Sequence, residues 1–257
     1  MKDITTLNQS TKLFCFCTLV TRFDEYQEMV ESAKQAGFTD AEFYYFDNKN
    51  NNSFDGFSGI NYAINQCTAK YLIFCHQDIL FNFDRKDHLL NKIAELDKVD
   101  TNWAVIGNAG RTAKGKLIAR ITDPHADNQS YGPFPSEVMS VDENFMIINM
   151  KHNLSCSTQM TGFHLYGLDL CQNAQFLGLK NYVIDFHLVH KSKGNIDQNF
   201  LAAKAEYIKL QQQRKSWQVY FTTCTCFYVS SLKFLNRFFA RKTFFRWLCS
   251  WVKRIGI

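Results

Sequence analysis

Tyr71-Leu72-Ile73-Phe74-Cys75-His76-Gln77-Asp78 opens with five apolar residues and closes on three polar ones. A short unbroken apolar run that stops at polar groups is the pattern of a strand buried on both faces of a parallel sheet. Leu13-Phe14-Cys15-Phe16-Cys17-Thr18-Leu19-Val20 is a second run of the same kind. Between them, Tyr26, Met29, Val30 and Ala33 recur at helical spacing and Gly37 follows as a natural C-terminal cap. Ala41 to Phe46 reads as a strand ending at Asp47-Asn48, Lys49 to Gly59 as an Asn-rich loop, and Ile60 to Ala69 as a short helix. Beyond Asp78, Leu89, Leu90, Ile93 and Leu96 mark a helix and Trp103 to Ile106 a strand. This alternation predicts an α/β domain with a mostly parallel sheet flanked by helices. Ligands of such sheets sit beyond the carboxyl ends of the strands, so Asp47-Asn48 and His76-Gln77-Asp78 are the first groups to consider.

Asn108 to Ser140 contains all three prolines and several glycines, and reads as a long loop over the site. Val141 to Met150 returns to strand-like sequence, with Asp142-Glu143 near its start. Tyr166 to Gly178 predicts a helix and Tyr182 to Phe186 a strand, followed by His187 and His190.

The chain has 257 residues, of which 46% are hydrophobic and 15% aromatic, which excludes a disordered or collagen-like protein. Its +5 net charge is unevenly spread. Residues 1–206 carry 19 basic and 24 acidic groups, whereas the last 51 residues carry ten basic groups and no acid. The nine cysteines include two Cys-x-Cys pairs but no Cys-x-x-Cys, which argues for buried thiols in a reducing compartment and against a zinc ribbon. Residues 1–12 lack the apolar core of a signal peptide, and no run of about 18 apolar residues exists to span a bilayer. The expected organisation is an N-terminal tail over 1–11, one globular domain over 12–215, and a basic, aromatic, helical extension over 216–257. On a helix, Phe234, Phe238, Phe245, Leu248 and Val252 share one stripe, interrupted by Arg241. Basic and aromatic residues together suit an anionic membrane surface. A cytoplasmic protein held peripherally at the inner membrane is expected, with no nucleic-acid partner.

Side chains two apart at a strand end can point the same way, so His76 and Asp78 can share one divalent ion. His190, beyond a second predicted strand, adds an imidazole, and Lys191-Ser192-Lys193-Gly194 adds a basic, glycine-containing loop suited to a diphosphate. Asp169, near a helix start, is either a general base or an acid complementing the helix dipole.

Together these pieces resemble a glycosyltransferase of the GT-A fold, and more narrowly the bacterial glycosyltransferase-like proteins related to family two. Three ordered blocks within residues 12–197 carry the likeness. The first is Tyr45-Phe46-Asp47-Asn48 with Tyr71 to Asp78, where His-Gln-Asp stands for the usual Asp-x-Asp. The second is Val141-Asp142-Glu143-Asn144-Phe145-Met146. The third runs from Gly162-Phe163-His164-Leu165-Tyr166-Gly167-Leu168-Asp169 through Tyr182-Val183-Ile184-Asp185-Phe186 to His190. The resemblance implies an inverting, metal-assisted transfer from a nucleoside-diphosphate sugar, a UDP-sugar, to a hydroxyl of a glycan or glycolipid in surface polysaccharide or lipopolysaccharide synthesis. It implies Mn²⁺ or Mg²⁺ on Asp78 and His190. It places Thr18, Asp47, Asn48, His76 and Lys193 on the nucleotide sugar, and makes Asp169 the base, with Gly167 and Leu168 where the family has a neighbouring acid. Two alternatives are a metal-dependent phosphoester hydrolase using His76, Asp78 and His190, and a non-catalytic nucleotide-sugar-binding module.

Overall fold

The computed structural model describes residues 12–194, 197–214, 217–221 and 226–239. The chain divides into two compact units, Met1–Glu206 and Tyr207–Ile257.

The first unit begins with β1 (Phe14–Val20), α1 (Phe23–Gln35), β2 (Glu42–Asp47), α2 (Gly56–Gln66) and β3 (Tyr71–Cys75). Both faces of β1 and β3 are covered, which is why their sequences are unbroken apolar runs rather than alternating ones. α1 buries Tyr26, Met29 and Ala33 and ends at Gly37, whose φ of +102° favours a residue without a Cβ. α2 starts four residues before the expected Ile60, inside the stretch read as loop. Asp55 accepts from the Ser58 N–H while the Ser58 hydroxyl bonds back to the Asp55 N–H, a capping box that nucleates the helix there.

The chain continues through β4 (Ile79–Leu80), α3 (Lys86–Val99) and β5 (Trp103–Gly107). The expected loop over 108–140 is instead largely strand: β6 (Ala109–Arg111), β7 (Leu117–Asp123), β8 (Ala126–Tyr131) and β9 (Ser136–Val138), with β10 (Ser140–Val141) after it. β8 is exposed along most of its length, so it has no apolar face to announce it as a strand. β11 (Phe145–Asn149), α4 (Tyr166–Phe176), β12 (Lys180–Val183) and β13 (Leu188–His190) complete the layers.

A seven-stranded sheet runs β2-β1-β3-β11-β5-β12-β9. β1 pairs parallel with β2 and β3, and β12 parallel with β5, while β11 inserts antiparallel between β3 and β5 and β9 pairs antiparallel with β12. The α/β layering is thus as expected, with parallel pairs in β2-β1-β3 and again at β5-β12. A second sheet, β10-β6-β7-β13-β4 with β8 on β7, is built largely from the segment read as loop. The core between layers is aromatic: Phe16, Phe38, Phe81, Phe145 and Phe186 are almost wholly buried and contact one another edge-on or stacked. Each such side chain contributes about 1.5–3 kcal/mol on burial. Cys15, Cys17, Cys75, Cys156 and Cys171 are buried and free.

α5 (Gln198–Gln212) leads into the second unit. There the expected helix gives way to a hairpin of β14 (Trp217–Phe221) and β15 (Cys226–Ser230), followed by α6 (Lys233–Phe239). Aromatic and β-branched residues fit a pleated ladder better than a helix, which accounts for the strands. Phe234 and Phe238 lie in α6, whereas Phe245, Leu248 and Val252 lie outside the described residues. Among the described residues no helix is long and apolar enough to cross a membrane.

Candidate functional site

β3 stops at Cys75, and the next three residues turn across the carboxyl end of the sheet. The His76 N–H donates to the Asn144 carbonyl (2.9 Å), extending the β3–β11 pairing by one step. The Gln77 side-chain oxygen accepts from the Thr21 and Arg22 N–H groups, each at 2.9 Å, and so ties the end of β1 to the end of β3. β4 then pairs antiparallel with β13, placing Ile79 opposite His190, and the Lys191 N–H donates to the Asp78 carbonyl. That register brings Asp78 and His190, 112 positions apart in the chain, side by side.

His76 Nδ1 lies 3.2 Å from His190 Nε2, His190 Nε2 lies 3.5 Å from Asp78 Oδ1, and His76 Nδ1 lies 4.0 Å from the same oxygen. Asp78 and His190 are buried, while the His76 side chain is 38% exposed and forms the open side of the cluster. Burial works against ionisation of Asp78, but the His190 imidazole, with His76 and Ser192, holds its carboxyl well below the usual range. Burial opposes the charge on His190 too, and Asp78 overcomes this and raises it. His76 is pushed down by burial and by the charge of His190. Two imidazole nitrogens and one carboxylate oxygen, all within 4.8 Å of one another, form a ligand set for one cation. Ligands bonded at about 2.0–2.2 Å around an ion stand roughly 3–3.5 Å apart, close to the separations seen. The His76 Nε2 is 3.3 Å from the Tyr166 hydroxyl. With Nε2–H donating to that oxygen, Nδ1 keeps its lone pair toward Asp78 and His190, the usual way an outer partner orients a ligating imidazole.

The other sequence candidates are placed less uniformly. Asp47 is exposed at the end of β2 and lines a cavity of about 600 Å³ with Tyr44, Tyr45, Phe54 and Tyr62, but none of the three cluster residues lines it. Lys193 follows β13 and is exposed, its carbonyl 3.1 Å from His125 Nε2. The neighbouring Lys191 ammonium is held by Glu28 at 2.7 Å and faces Glu25 at 3.8 Å, on α1.

Three candidates are packed inside the protein rather than exposed. Thr18 is 0% exposed with its hydroxyl 3.6 Å from Cys75 Sγ, so it packs between strands and does not face a ligand. Asn48 is buried, and its amide donates to the Phe54 carbonyl and accepts from the Phe54 N–H, which clamps the 48–54 loop. Asp169 is 0% exposed: its two oxygens accept from the Ser157 N–H (2.6 Å) and Ser157 hydroxyl (2.8 Å), with Asn173 Nδ2 at 3.3 Å. In this arrangement the carboxylate is taken up by Ser157 and Asn173.

No family model matches the chain. The protein named "ATP synthase subunits region ORF 6" from Fuscovulum blasticum is 35% identical over 218 residues, 82% of this chain and 86% of that protein. The chain belongs to its family. Among solved structures, the ORF 6 relative described here is similar to A197 from STIV over 72% of this chain and 98% of that one, with 11% identity and a TM-score of 0.40. It is also similar to S. aureus TarS 1–349 in complex with UDP-GlcNAc, over 72% of this chain and 60% of that one, with 12% identity and a TM-score of 0.47.

Two groups at the site of this ORF 6 family member were given no role by sequence reading. Tyr166 opens α4 and reaches His76; its ring is accommodated because Gly56 has no Cβ, which would stand 2.2 Å from it. Glu143 lies one residue before Asn144, whose carbonyl receives the His76 N–H. Both stand in the blocks that carry the family likeness, but neither tripeptide spacing nor periodicity marks them.

Proposed function

We propose that this protein is a glycosyltransferase of the GT-A kind, which moves a sugar from a nucleoside diphosphate to an acceptor hydroxyl with a divalent ion held by His76, Asp78 and His190. The observation that carries the reading is the convergence of these three ligands at the carboxyl end of β3, in the parallel half of an α/β sheet where ligands of such sheets bind. Asp47, exposed at the end of β2, is the group for the nucleotide base. The two imidazoles favour Mn²⁺ over Mg²⁺, which prefers an all-oxygen shell. When bound, the ion supplies positive charge to the leaving diphosphate. His76, the exposed ligand, stands where that diphosphate would approach.

Thermal shift with nucleoside diphosphates and UDP- and GDP-sugars, with and without Mn²⁺, tests the reading. Stabilisation that needs both components is expected, about 2.7 kcal/mol at a hundredfold excess over the dissociation constant. Hydrolysis of simple phosphoesters with no response to nucleotides would instead favour a metal-dependent hydrolase.

The His190–Asp78 pair sets the pH dependence. His190, raised above its ordinary value of 6.5, holds a proton that Mn²⁺ must displace. Apparent Mn²⁺ affinity should therefore fall as pH drops and rise as pH passes through the raised His190 range, with proton release measurable by calorimetry in buffers of different ionisation enthalpy. Without metal, the His190 contribution to stability is complete below about 6.5 and is lost as pH rises through the folded value. The Asp78 contribution is complete above about 3.9 and is lost as pH falls. Both are present together between those limits.

The proposal includes a glycan or glycolipid acceptor and peripheral attachment to the anionic inner leaflet. The ten basic residues after Glu206, and the exposure of Val229, Leu232 and Phe234, support it. Full-length protein should sediment with phosphatidylglycerol-rich vesicles at low salt and be released as salt rises. Failure to bind at low salt would remove the membrane from the proposal.

A further inference from the structure

Cys15 and Cys17 form the first of the two Cys-x-Cys pairs in the sequence, and the glycosyl-transfer reading leaves both unused. Residues two apart on a strand share a face. Both thiols line the cavity of about 600 Å³ walled by β1, β2 and α2, and Cys67 lines it with them.

The fold brings Cys67 to Cys15 through the register of β3 on β1. α2 ends at Cys67, whose N–H donates to the Ala63 carbonyl at 2.8 Å. Three residues later the chain joins the sheet. The Lys70 N–H donates to the Lys12 carbonyl and the Tyr71 N–H to the Leu13 carbonyl, so β3 starts beside β1 with Leu72 opposite Cys15. The Cys15 and Cys67 side chains are hydrogen-bonded to each other, and the Cys67 sulfur also accepts from the Ala69 backbone.

The two thiols differ in access. Cys15 is 4% exposed. Among the cysteines whose side chains are described, Cys67 alone is not buried. Tyr44 and Tyr62, which also line the cavity, are each about half exposed, so small molecules can enter it. The hydrogen bond from Cys15 is the main cause that holds the Cys67 thiol below its ordinary value, against burial. The same contact, together with burial, raises Cys15. Burial pushes Cys17 and Cys75 up to about 12. Because the thiolate is the nucleophile, Cys67 is the sulfur placed to react first.

We propose that Cys67 and Cys15 are a peroxide-responsive dithiol, with Cys67 oxidised first and Cys15 the resolving thiol, and that the product is a disulfide between α2 and β1. This is independent of the glycosyl-transfer reading. In the first step the Cys67 sulfur attacks one oxygen of a hydroperoxide. The O–O bond breaks, and the other oxygen leaves with the thiol proton as water or an alcohol. Cys67 is then a sulfenic acid. In the second step the Cys15 sulfur attacks the Cys67 sulfur, the S–O bond breaks, and hydroxide leaves with the Cys15 proton as water. Two electrons pass from the pair of sulfurs to the peroxide. The sulfurs have to close from hydrogen-bond contact to about 2.05 Å. Cys67 can supply that movement because it ends a helix, and helix ends fray.

The test uses the full-length reduced protein and hydrogen peroxide. After treatment the remaining thiols are alkylated, and peptide mass spectrometry locates the oxidised cysteines. The expected product is a bridge between the peptide holding Cys15 and the peptide holding Cys67, with fragment ions assigning it to Cys15 rather than Cys17. Cys67→Ser should abolish the bridge, and Cys17→Ser should keep it. In Cys15→Ser the Cys67 sulfenic acid should persist and be trapped by dimedone in well above the wild-type yield. If Cys67 stays reduced in the treated, folded wild type, or bridges to any cysteine other than Cys15, the proposal fails. It also fails if Cys15→Ser yields no more trapped sulfenic acid than wild type. Mapping in the wild-type protein decides the matter by itself where a variant does not fold.

Discussion

Asp78→Ala should abolish Mn²⁺ binding. Asp78 is the one carboxylate in the three-ligand set and the only anionic member of it. Its loss leaves two imidazoles, of which His190 no longer has the partner that raises it. The expected fall in affinity is at least about 100-fold, beyond the 10–100-fold typical of changes one shell further out. Calorimetric titration of Mn²⁺ checks this directly. A second readout is the His190 ring: its NMR titration midpoint should drop in Asp78→Ala, because burial, which lowers it, then acts without the ion pair. Unchanged Mn²⁺ affinity in a folded Asp78→Ala would remove the cluster as the metal site.

Asp169→Ala should cost the fold about 3 kcal/mol, since the half-buried Ser157 N–H and hydroxyl both lose a charged acceptor, hydrogen bonds to charged groups being worth about 1.5–3 kcal/mol each. In a chain of this size that corresponds to a melting temperature lower by roughly 6–12 °C. Asp169→Asn should be much milder. Its amide oxygen can keep the Ser157 N–H, and the Ser157 hydroxyl can turn to accept from the new NH₂ group. A catalytic base would show the reverse pattern, with Asn as damaging to turnover as Ala and with stability unchanged. Thermal melts and nucleotide-sugar turnover on both variants decide between these roles.

The elements that were legible in sequence share a physical reason. β1, β3 and β5 are buried on both faces, so burial alone writes them as apolar runs. α1 announces itself through Tyr26, Met29 and Ala33 because one face of it is buried and the other is wet. His76 and Asp78 were legible because they follow such a strand directly, where the chain has to leave the sheet. β8 was not, because a strand whose side chains are mostly solvated has no hydrophobic period to display. α2 was mis-started because its beginning is set by a local hydrogen-bonded box at Asp55 and Ser58, not by apolar spacing.

Roles were harder to read than elements. Thr18, Asn48 and Asp169 are polar residues at promising sequence positions, and each is buried against one nearby partner: Cys75, Phe54 and Ser157. Sequence supplies the donors and acceptors, but which of them face one another depends on packing. By itself the sequence determined the layered α/β class and the strand ends at which His76, Asp78 and His190 were named, since these depend on local burial. Only the tertiary structure decided that β4 pairs with β13 and so delivers His190 to Asp78, and that the Tyr166 hydroxyl stands against His76. Those outcomes turn on register and helix docking between segments far apart in the chain, which no single stretch of residues encodes.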